Sequence, residues 1–223
     1  MGRLAGKRIV ITQGSTFMGP AFREVFLREG ATVIADDRDL RALKAAKELI
    51  DGAGRVDVLV ANLSAPVPRT LATETSDETW AQMFDFMVHP LGRLTRAVLP
   101  QMLDRRSGKI LVLTSGSVFR GNPRWSAYTA ARGAQVAYVR AVGVEVAPYN
   151  VQVNAIAQSF VESAVYFPPG WLSTEEAKQR MPQVPIGRLA TAEEEAYFAV
   201  FLASEESNFF VGQTIPFTGG WVA

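Results

Sequence analysis

A serine, a tyrosine and an arginine stand at spacings that could support proton transfer. Tyr128 and Arg132 lie four positions apart in a stretch with helical periodicity, so both side chains share one face of a helix. Ser115 ends an apolar run that predicts a buried strand. A phenol is a poor base at neutral pH, but a nearby guanidinium favours the phenolate form. Arginine keeps its own proton, so Arg132 would be a fixed charge while Tyr128 accepts a proton and Ser115 holds the same substrate oxygen.

Short apolar runs alternate with helical stretches along the chain, and these elements must position the three side chains. The predicted strands cover residues 7–12, 31–35, 56–62, 109–115, 151–157 and 213–217. The predicted helices lie near residues 19–30, 39–50, 76–106, 126–147 and 191–204, with breaks at His89-Pro90 and at Pro100. Apolar strands separated by helices indicate a parallel sheet covered on both faces. The sequence therefore predicts one doubly wound, Rossmann-type α/β domain over residues 1–223, with Ser115 at the sheet edge where such folds bind ligands.

These residues make the sequence similar to the short-chain dehydrogenase/reductase superfamily over its whole length. The pattern here is S-x12-Y-x3-R, whereas the redox members have Tyr-x3-Lys, with a lysine that also binds the nicotinamide ribose. Further similarity lies in the segments DVLVAN, YTAAR and FTGGW. Within the superfamily the chain resembles the halohydrin dehalogenases (haloalcohol dehalogenases). That resemblance implies a catalytic triad of Ser115, Tyr128 and Arg132, no nicotinamide cofactor, and a homotetramer built partly on the helix that carries Tyr128.

The turn after the first predicted strand departs from a dinucleotide-binding pattern. Redox members need a T-G-x-x-x-G-x-G turn so that the backbone can approach a pyrophosphate, and this chain has TQGSTFMG. Gln13 and Phe17 stand at two of the glycine positions, and Pro20 removes one N–H from the start of the next helix. The pattern Thr12-x4-Phe17-x-Gly19 matches the dehalogenase motif, in which the aromatic ring helps to form the wall of a halide pocket. Phe17 could also simply fill the core, and the two roles are compatible.

Two further departures concern the adenine side of the site and the proton relay. Residues 37–55 have room for one helix between the second and third strands. The redox members of the superfamily have a helix, an extra strand and another helix in this interval. The sequence therefore predicts loss of the strand that flanks the adenine. His89 stands where redox members usually carry a catalytic asparagine, which is consistent with chemistry that needs no hydride. The other interpretation of His89 is a purely structural histidine.

The resemblance assigns a leaving halide to the loop after the fifth predicted strand, where nicotinamide would otherwise sit. With Phe17, the matching halide-binding positions are Gln158, Ser159 and Phe160. Backbone N–H groups in a turn can bind an anion, and the positive edge of an aromatic ring adds a weak attraction. The mouth of the substrate pocket would be lined by Tyr166, Phe167 and Trp171. The same aromatic cluster could instead form a subunit contact.

Composition excludes several classes of function. The chain has 223 residues, of which 48% are hydrophobic and 20% charged, with a net charge of +1, as in an ordinary globular domain. The absence of cysteine excludes thiol nucleophiles and cysteine metal sites, and a single histidine excludes multi-histidine metal centres. No block of Lys and Arg predicts nucleic-acid binding, and no apolar run approaches the roughly 20 residues of a membrane helix. With a strand beginning near Arg8, we expect no signal peptide and a cytoplasmic location.

The residues and the resemblance together predict a cofactor-independent carbon–halide lyase with no metal. It would close vicinal haloalcohols to epoxides with release of chloride or bromide, and small anions would open epoxides in the reverse direction. The expected partners are therefore small haloalcohols or epoxides, halide and small anionic nucleophiles. Two alternatives remain open. One is a divergent NAD(P)-dependent reductase in which Arg132 replaces the lysine, and the other is a catalytically inactive member that serves as an interaction subunit.

Overall fold

A parallel sheet of aliphatic and β-branched strands forms the centre of the molecule. A computed structural model describes residues 2–222. Its strands are β1 (Arg8–Thr12), β2 (Thr32–Asp36), β3 (Val58–Ala61), β4 (Gly108–Ser115), β5 (Val151–Gln158) and β6 (Thr214–Phe217). The strand order is β2-β1-β3-β4-β5-β6, and all neighbours run parallel. The predicted doubly wound α/β fold is therefore confirmed.

Helices cover both faces of this sheet. They are α1 (Gly19–Arg28), α2 (Ala45–Ala53), α3 (Asp77–Met87), α4 (His89–Asp104), α5 (Ser126–Val146), α6 (Glu175–Arg180) and α7 (Ala192–Ala203). Successive strand residues point to opposite faces. Val10 packs in the core beneath α2, α4 and α5, whereas Ile9 and Ile11 pack in the core beneath α1 and α7. No helix within the described residues is long and apolar enough to cross a membrane.

The connection between β2 and β3 contains the single helix α2, as the spacing predicts. In the part of the chain that the structure describes, β2 is the edge of the sheet and no strand lies beyond it. The predicted loss of the adenine-flanking strand therefore agrees with the observed topology.

Two helix boundaries differ from the prediction. Asp39 does not begin a helix, because its carboxylate accepts hydrogen bonds from the backbone and guanidinium of Arg41, and α2 starts only at Ala45. Pro100 does not break α4, which continues to Asp104 although the ring removes one N–H donor. Val98 and Met102 on either side are fully buried, and their packing keeps the helix continuous.

The packing of α1 against the sheet gives a stability test. Phe22 is fully buried in the core shared by α1 and α7, and its ring centroid lies 5.6 Å from that of Phe26. Phe22→Ala leaves a cavity, so we expect the free energy of unfolding to fall by about 3–5 kcal/mol. The control Leu27→Ala removes a side chain that is 48% exposed on the same helix and should change it by less than about 0.5 kcal/mol. Urea unfolding of both variants measures the difference, and equal losses would contradict this account of the core.

Candidate active site

A cavity of about 290 Å³ opens at the carboxyl ends of β4 and β5. Doubly wound folds place their ligand sites at this edge of the sheet. The cavity brings together many of the sequence-predicted residues, and its lining includes Phe17, Ser115, Tyr128, Ser159, Tyr166 and Phe167.

Ser115 and Tyr128 reach the cavity from the end of β4 and the first turn of α5. Both are buried, and Ser115 Oγ accepts a hydrogen bond of 3.2 Å from the Ser117 N–H where the chain leaves the strand. The small residues Ala127 and Ala131 let α5 approach α3 closely, which fixes the direction of the Tyr128 ring. The hydroxyl of Tyr128 lies beside the guanidinium of Arg132 and the hydroxyl of Tyr166, and the ring lines the cavity.

Arg132 lies one helical turn beyond Tyr128 and is fully buried. Its Nη1 donates to the Leu113 carbonyl at 2.7 Å and to Gln135 Oε1 at 3.0 Å. Gln135 is itself held by its Nε2, which donates to the Met87 carbonyl at 2.9 Å. In the described part of the chain, Nε and Nη2 of Arg132 have no partner, while Cζ lies 5.2 Å from the centre of the Tyr128 ring. Buried donors without partners are rare in proteins, so this side of the guanidinium is suited to a negative charge that forms during a reaction.

Two phenols lie near this charge, and their surroundings differ. Burial opposes ionisation of the guanidinium, but the phenolic groups of Tyr128 and Tyr166 outweigh it and raise the pKa of Arg132, which stays protonated. Burial, together with the neighbouring Tyr128, raises the pKa of Tyr166 above its ordinary value. Tyr166 Oη also donates to the Ala65 carbonyl at 2.8 Å. Tyr166 is therefore held as a neutral phenol.

In the turn after β1, two residues that are not glycine have backbone conformations that glycine usually adopts. Gln13 and Phe17 have φ values of 47° and 54°, in the left-handed region that favours glycine. Gln13 Oε1 accepts bonds of 2.8 Å and 2.7 Å from the N–H and hydroxyl of Ser64, so its side chain joins the loops after β1 and β3. The turn therefore lacks two of the glycines of the dinucleotide-binding pattern, and a side chain bridges it to the neighbouring loop.

The ring of Phe17 forms part of the cavity wall. Its centroid lies 5.2 Å from that of Tyr166 in an edge-on arrangement with an interplanar angle of 89°. The side chain is only 7% exposed, so Phe17 both fills space and presents its ring to the cavity.

The loop after β5 differs in detail from the predicted halide cradle. The Gln158 carboxamide points to α7, and its terminal group lies 2.8 Å and 3.1 Å from the two carboxyl oxygens of Glu195. The Ser159 N–H donates to the Phe217 carbonyl at 3.1 Å, so it is not free for an anion. Of these residues, Ser159 can offer its hydroxyl to the cavity, while Gln158 lines it without directing its amide there.

Phe160 turns the chain away from the cavity. Its φ is 58°, and its ring is 2% exposed in a cluster with Phe167, Trp171 and Trp221. Trp171 lies behind Phe167, with ring centroids 4.8 Å apart, so Phe167 forms the wall and Trp171 supports it. Of the predicted pocket residues, Tyr166 and Phe167 therefore line the cavity, and Trp171 supports Phe167 from behind.

His89 lies outside the cavity at the start of α4. Its Nδ1 lies 2.9 Å from Asp85 Oδ1, and its side chain is half-exposed. This position agrees with the structural interpretation of His89 and gives it no contact with the reacting groups.

Seven cavity residues were not singled out from the sequence, and three of them, Arg69, Trp125 and Arg180, carry a charge or a large ring. Trp125 precedes Tyr128 by three positions, a helical spacing that could have indicated it. Arg69 and Arg180 come from a loop and a short helix far apart in the chain, and no motif marks them.

Comparison with known proteins defines the family. The family described as enoyl-(acyl carrier protein) reductase matches residues 12–222. A 3-oxoacyl-[acyl-carrier-protein] reductase of Thermotoga maritima is 30% identical over an alignment of 250 positions that covers 99% of each chain. This chain belongs to the short-chain dehydrogenase/reductase superfamily. The alignment is longer than its 223 residues, so this member lacks segments that the relative has.

Solved structures similar to this short-chain dehydrogenase/reductase enzyme fall into two functional groups. One is described as a dehalogenation enzyme; it is 29% identical with a TM-score of 0.92, covering 98% of this chain and 99% of the other. Another is described as an NAD(P)-dependent gluconate 5-dehydrogenase from Beutenbergia cavernae with bound NADP; it is also 29% identical, with a TM-score of 0.89 and coverage of 98% and 97%. Overall similarity does not distinguish the dehalogenation enzyme from the dehydrogenase as a guide to this chain. The residues of the site must therefore be compared.

Glu195 beside Gln158 is a buried carboxyl group without a cation. It is fully buried on α7, and burial raises its pKa well above the ordinary value. The folded protein therefore keeps Glu195 protonated at a pH at which the unfolded chain has released the proton.

This carboxyl group should make stability depend on pH. The contribution of protonated Glu195 to the free energy of unfolding is fully present below the pKa of the group in the unfolded chain, about 4.3. It is lost, by about 1.4 kcal/mol per pH unit, as the pH rises through the higher pKa of the group in the folded protein. Glu195→Gln has no carboxyl group to ionise at this position. The difference in free energy of unfolding between the variant and the wild type should therefore shift in favour of the variant by at least about 1 kcal/mol between pH 5 and pH 8. The control Glu193→Gln changes a half-exposed carboxylate on the same helix and should show no such trend. Urea unfolding across this pH range tests it, and parallel curves for wild type and Glu195→Gln would refute the assignment.

Proposed function

We propose that this enzyme is a halohydrin dehalogenase, which closes vicinal haloalcohols to epoxides without a nucleotide. The observation that carries the proposal is the buried guanidinium of Arg132, whose Nε and Nη2 atoms are unpaired in the described chain beside the phenol of Tyr128. Arginine at this position replaces the lysine of the redox members. The turn that would hold a pyrophosphate is bridged by the Gln13 side chain, which supports the same conclusion.

The reaction needs a base, a fixed charge and an exit for the halide. Ser115 Oγ and Tyr128 Oη bind the substrate hydroxyl, and Tyr128 as phenolate takes its proton. The hydroxyl oxygen then uses its electron pair to form a bond to the neighbouring carbon. The carbon–halogen bond breaks, and the halide leaves with that bonding pair. Arg132 stabilises the phenolate, and the proton passes on to solvent, so the products are an epoxide, a halide ion and a proton.

Alignment of the reacting atoms supplies most of the acceleration, because the nucleophile is already part of the substrate. The departing halide would lie against the Phe17 ring edge and the Ser159 hydroxyl, which both line the cavity. In reverse, a small anion in that position would open an epoxide while Tyr128 returns the proton.

A second candidate function is NAD(P)-dependent reduction. Its support is the similarity to the Thermotoga maritima reductase and to the NADP-bound gluconate dehydrogenase structure. The bridged turn after β1 argues against it.

The tyrosine gives the first test of function. With a simple vicinal bromo-alcohol and no added nucleotide, we expect the wild-type enzyme to release bromide. Tyr128→Phe removes the proton acceptor and should lower kcat by at least about 10³-fold, with an unchanged far-UV circular dichroism spectrum. The control Tyr138→Phe alters a phenol on the same helix outside the cavity lining and should retain activity. An active Tyr128→Phe enzyme would rule out this mechanism.

Nucleotide binding separates the two candidate functions. We expect no saturable change in tryptophan fluorescence on titration with NADH or NADPH, because Gln13 fills the turn that would approach the phosphates. Acetone and glyceraldehyde supplied with either nucleotide should give no change in absorbance of the reduced nicotinamide. Saturable binding together with hydride transfer would favour the reductase.

A further inference from the structure

Two arginine side chains outside the triad, Arg69 and Arg180, line the cavity that contains Tyr128. Among residues 2–222, no Asp or Glu side chain lines it. Arg69 lies in the loop between β3 and α3, and Arg180 is the last residue of α6. The cavity is therefore positive along its wall as well as at Arg132, and such a field favours a ligand with an anionic group.

Arg180 is held in one position by a carboxylate and by aromatic rings. Its Nη1 lies 2.7 Å from Glu176 Oε1, and its side chain is only 20% exposed. The Cζ atom lies 5.0 Å from the Phe160 ring centre and 5.6 Å from that of Trp125. Cation–π attraction to these rings orients the planar guanidinium before any ligand arrives. An arginine oriented in this way can offer two parallel N–H groups to a carboxylate.

Glu176 does not neutralise both arginines. The same Oε1 accepts from Arg180 at 2.7 Å and from Arg69 Nη2 at 2.9 Å. Burial acts to raise the pKa of Glu176, but the two guanidiniums outweigh it and lower the pKa, so the carboxylate stays ionised. Each guanidinium has five N–H donors, and in the described chain neither makes another hydrogen bond. One positive charge and several donors remain in excess at the cavity wall.

The ring of Trp125 lies close both to this charge and to Tyr128. Its ring centre lies 5.7 Å from that of Tyr128 and 5.6 Å from Arg180 Cζ. A substrate with its hydroxyl at Tyr128 therefore needs only a few more carbons to bring an anionic group to Arg180. The cavity of about 290 Å³ suits a molecule of that size.

We propose that the substrates of this site are short vicinal halohydroxy acids, whose carboxylate is bound by Arg180 together with Arg69. In the reverse direction the substrates are the corresponding epoxy acids. The inference rests on the proposed dehalogenase function and adds the class of substrate. The chemical step is unchanged: the hydroxyl oxygen forms the new carbon–oxygen bond, the halide leaves with the bonding pair, and Tyr128 passes the proton to water.

Bromide release from γ-bromo-β-hydroxybutyrate and from its uncharged amide tests the proposal. The wild-type enzyme should prefer the acid by at least about tenfold in kcat/KM, or about 1.4 kcal/mol. Arg180→Met keeps an apolar stem and removes the charge, so it should abolish this preference by raising KM for the acid. The quantity compared is the ratio of kcat/KM for the acid to kcat/KM for the amide within each variant, so a general loss of activity does not enter it. Arg69→Met should lose part of the preference, because it removes the more exposed of the two cations.

The matched control is Lys178→Met. Lys178 is a cation on the same helix, but it pairs with Glu175 at 2.6 Å and does not line the cavity. The Lys178→Met enzyme should keep the wild-type preference for the acid over the amide. Equal kcat/KM for acid and amide in the wild type would overturn the carboxylate proposal and leave the dehalogenase function intact. So would a preference that survives both arginine substitutions.

Ligand binding separates failure of this proposal from failure of the proposed function. β-Hydroxybutyrate has no halogen, and its binding can be followed by tryptophan fluorescence, because Trp125 and Trp171 both lie against Arg180. Saturable quenching that is at least about tenfold tighter than with the amide, and lost in Arg180→Met, supports the carboxylate site even if no bromide is released from any substrate. Absence of such quenching in a wild-type enzyme that shows no acid preference counts against it.

Discussion

The buried positive charge of Arg132 is the constraint around which the active-site end of the fold is arranged. An ionised group out of water is costly unless hydrogen bonds and an opposite charge compensate it. Here the Leu113 carbonyl and Gln135 satisfy Nη1, and Met87 in turn holds Gln135. The strand β4, the helix α5 and the end of α3 are therefore tied to one guanidinium. Its other side has no partner in residues 2–222, which is the arrangement that a developing phenolate requires.

The same charge gives the two neighbouring tyrosines different roles. Tyr166 donates to the Ala65 carbonyl, and its raised pKa keeps it neutral. It is fixed in the cavity wall, where its ring meets the edge of Phe17. Tyr128 has no such hydrogen bond and stands on the same helix as the charge. Under the proposed function, proton exchange is assigned to Tyr128, because Tyr166 is committed to the Ala65 carbonyl.

The sequence predicted the architecture well, because alternating buried strands and helices leave a strong pattern. It also placed Ser115, Tyr128 and Phe17 correctly around one cavity, since helical spacing and strand ends determine where such side chains lie. It was less informative for the loop after β5. Ile156 packs beneath α1 and α7, and Gln158, two residues on, shares that face, so strand periodicity could have indicated its contact with Glu195.

Arg180 could not be predicted in the same way, because its position depends on contacts that no sequence motif encodes. It reaches the cavity only because rings from three separate segments pack beneath its guanidinium. Such positions depend on tertiary packing rather than on local spacing, and they are the ones that differ between members that share a fold.

The turn after β1 shows how a redox framework can serve other chemistry. Gln13 and Phe17 hold left-handed backbone conformations that cost a non-glycine residue about 1 kcal/mol or more each, and such strain persists where the side chains are needed. Gln13 joins the loops after β1 and β3, and Phe17 forms part of the cavity wall. A reaction whose nucleophile and leaving group both belong to the substrate needs no hydride carrier. Under the proposed function, the strand that would frame an adenine could then be lost without affecting catalysis. The base and its fixed charge lie on α5 and Ser115 lies on β4, in the middle of the sheet, whereas the missing strand would lie at its far edge beyond β2.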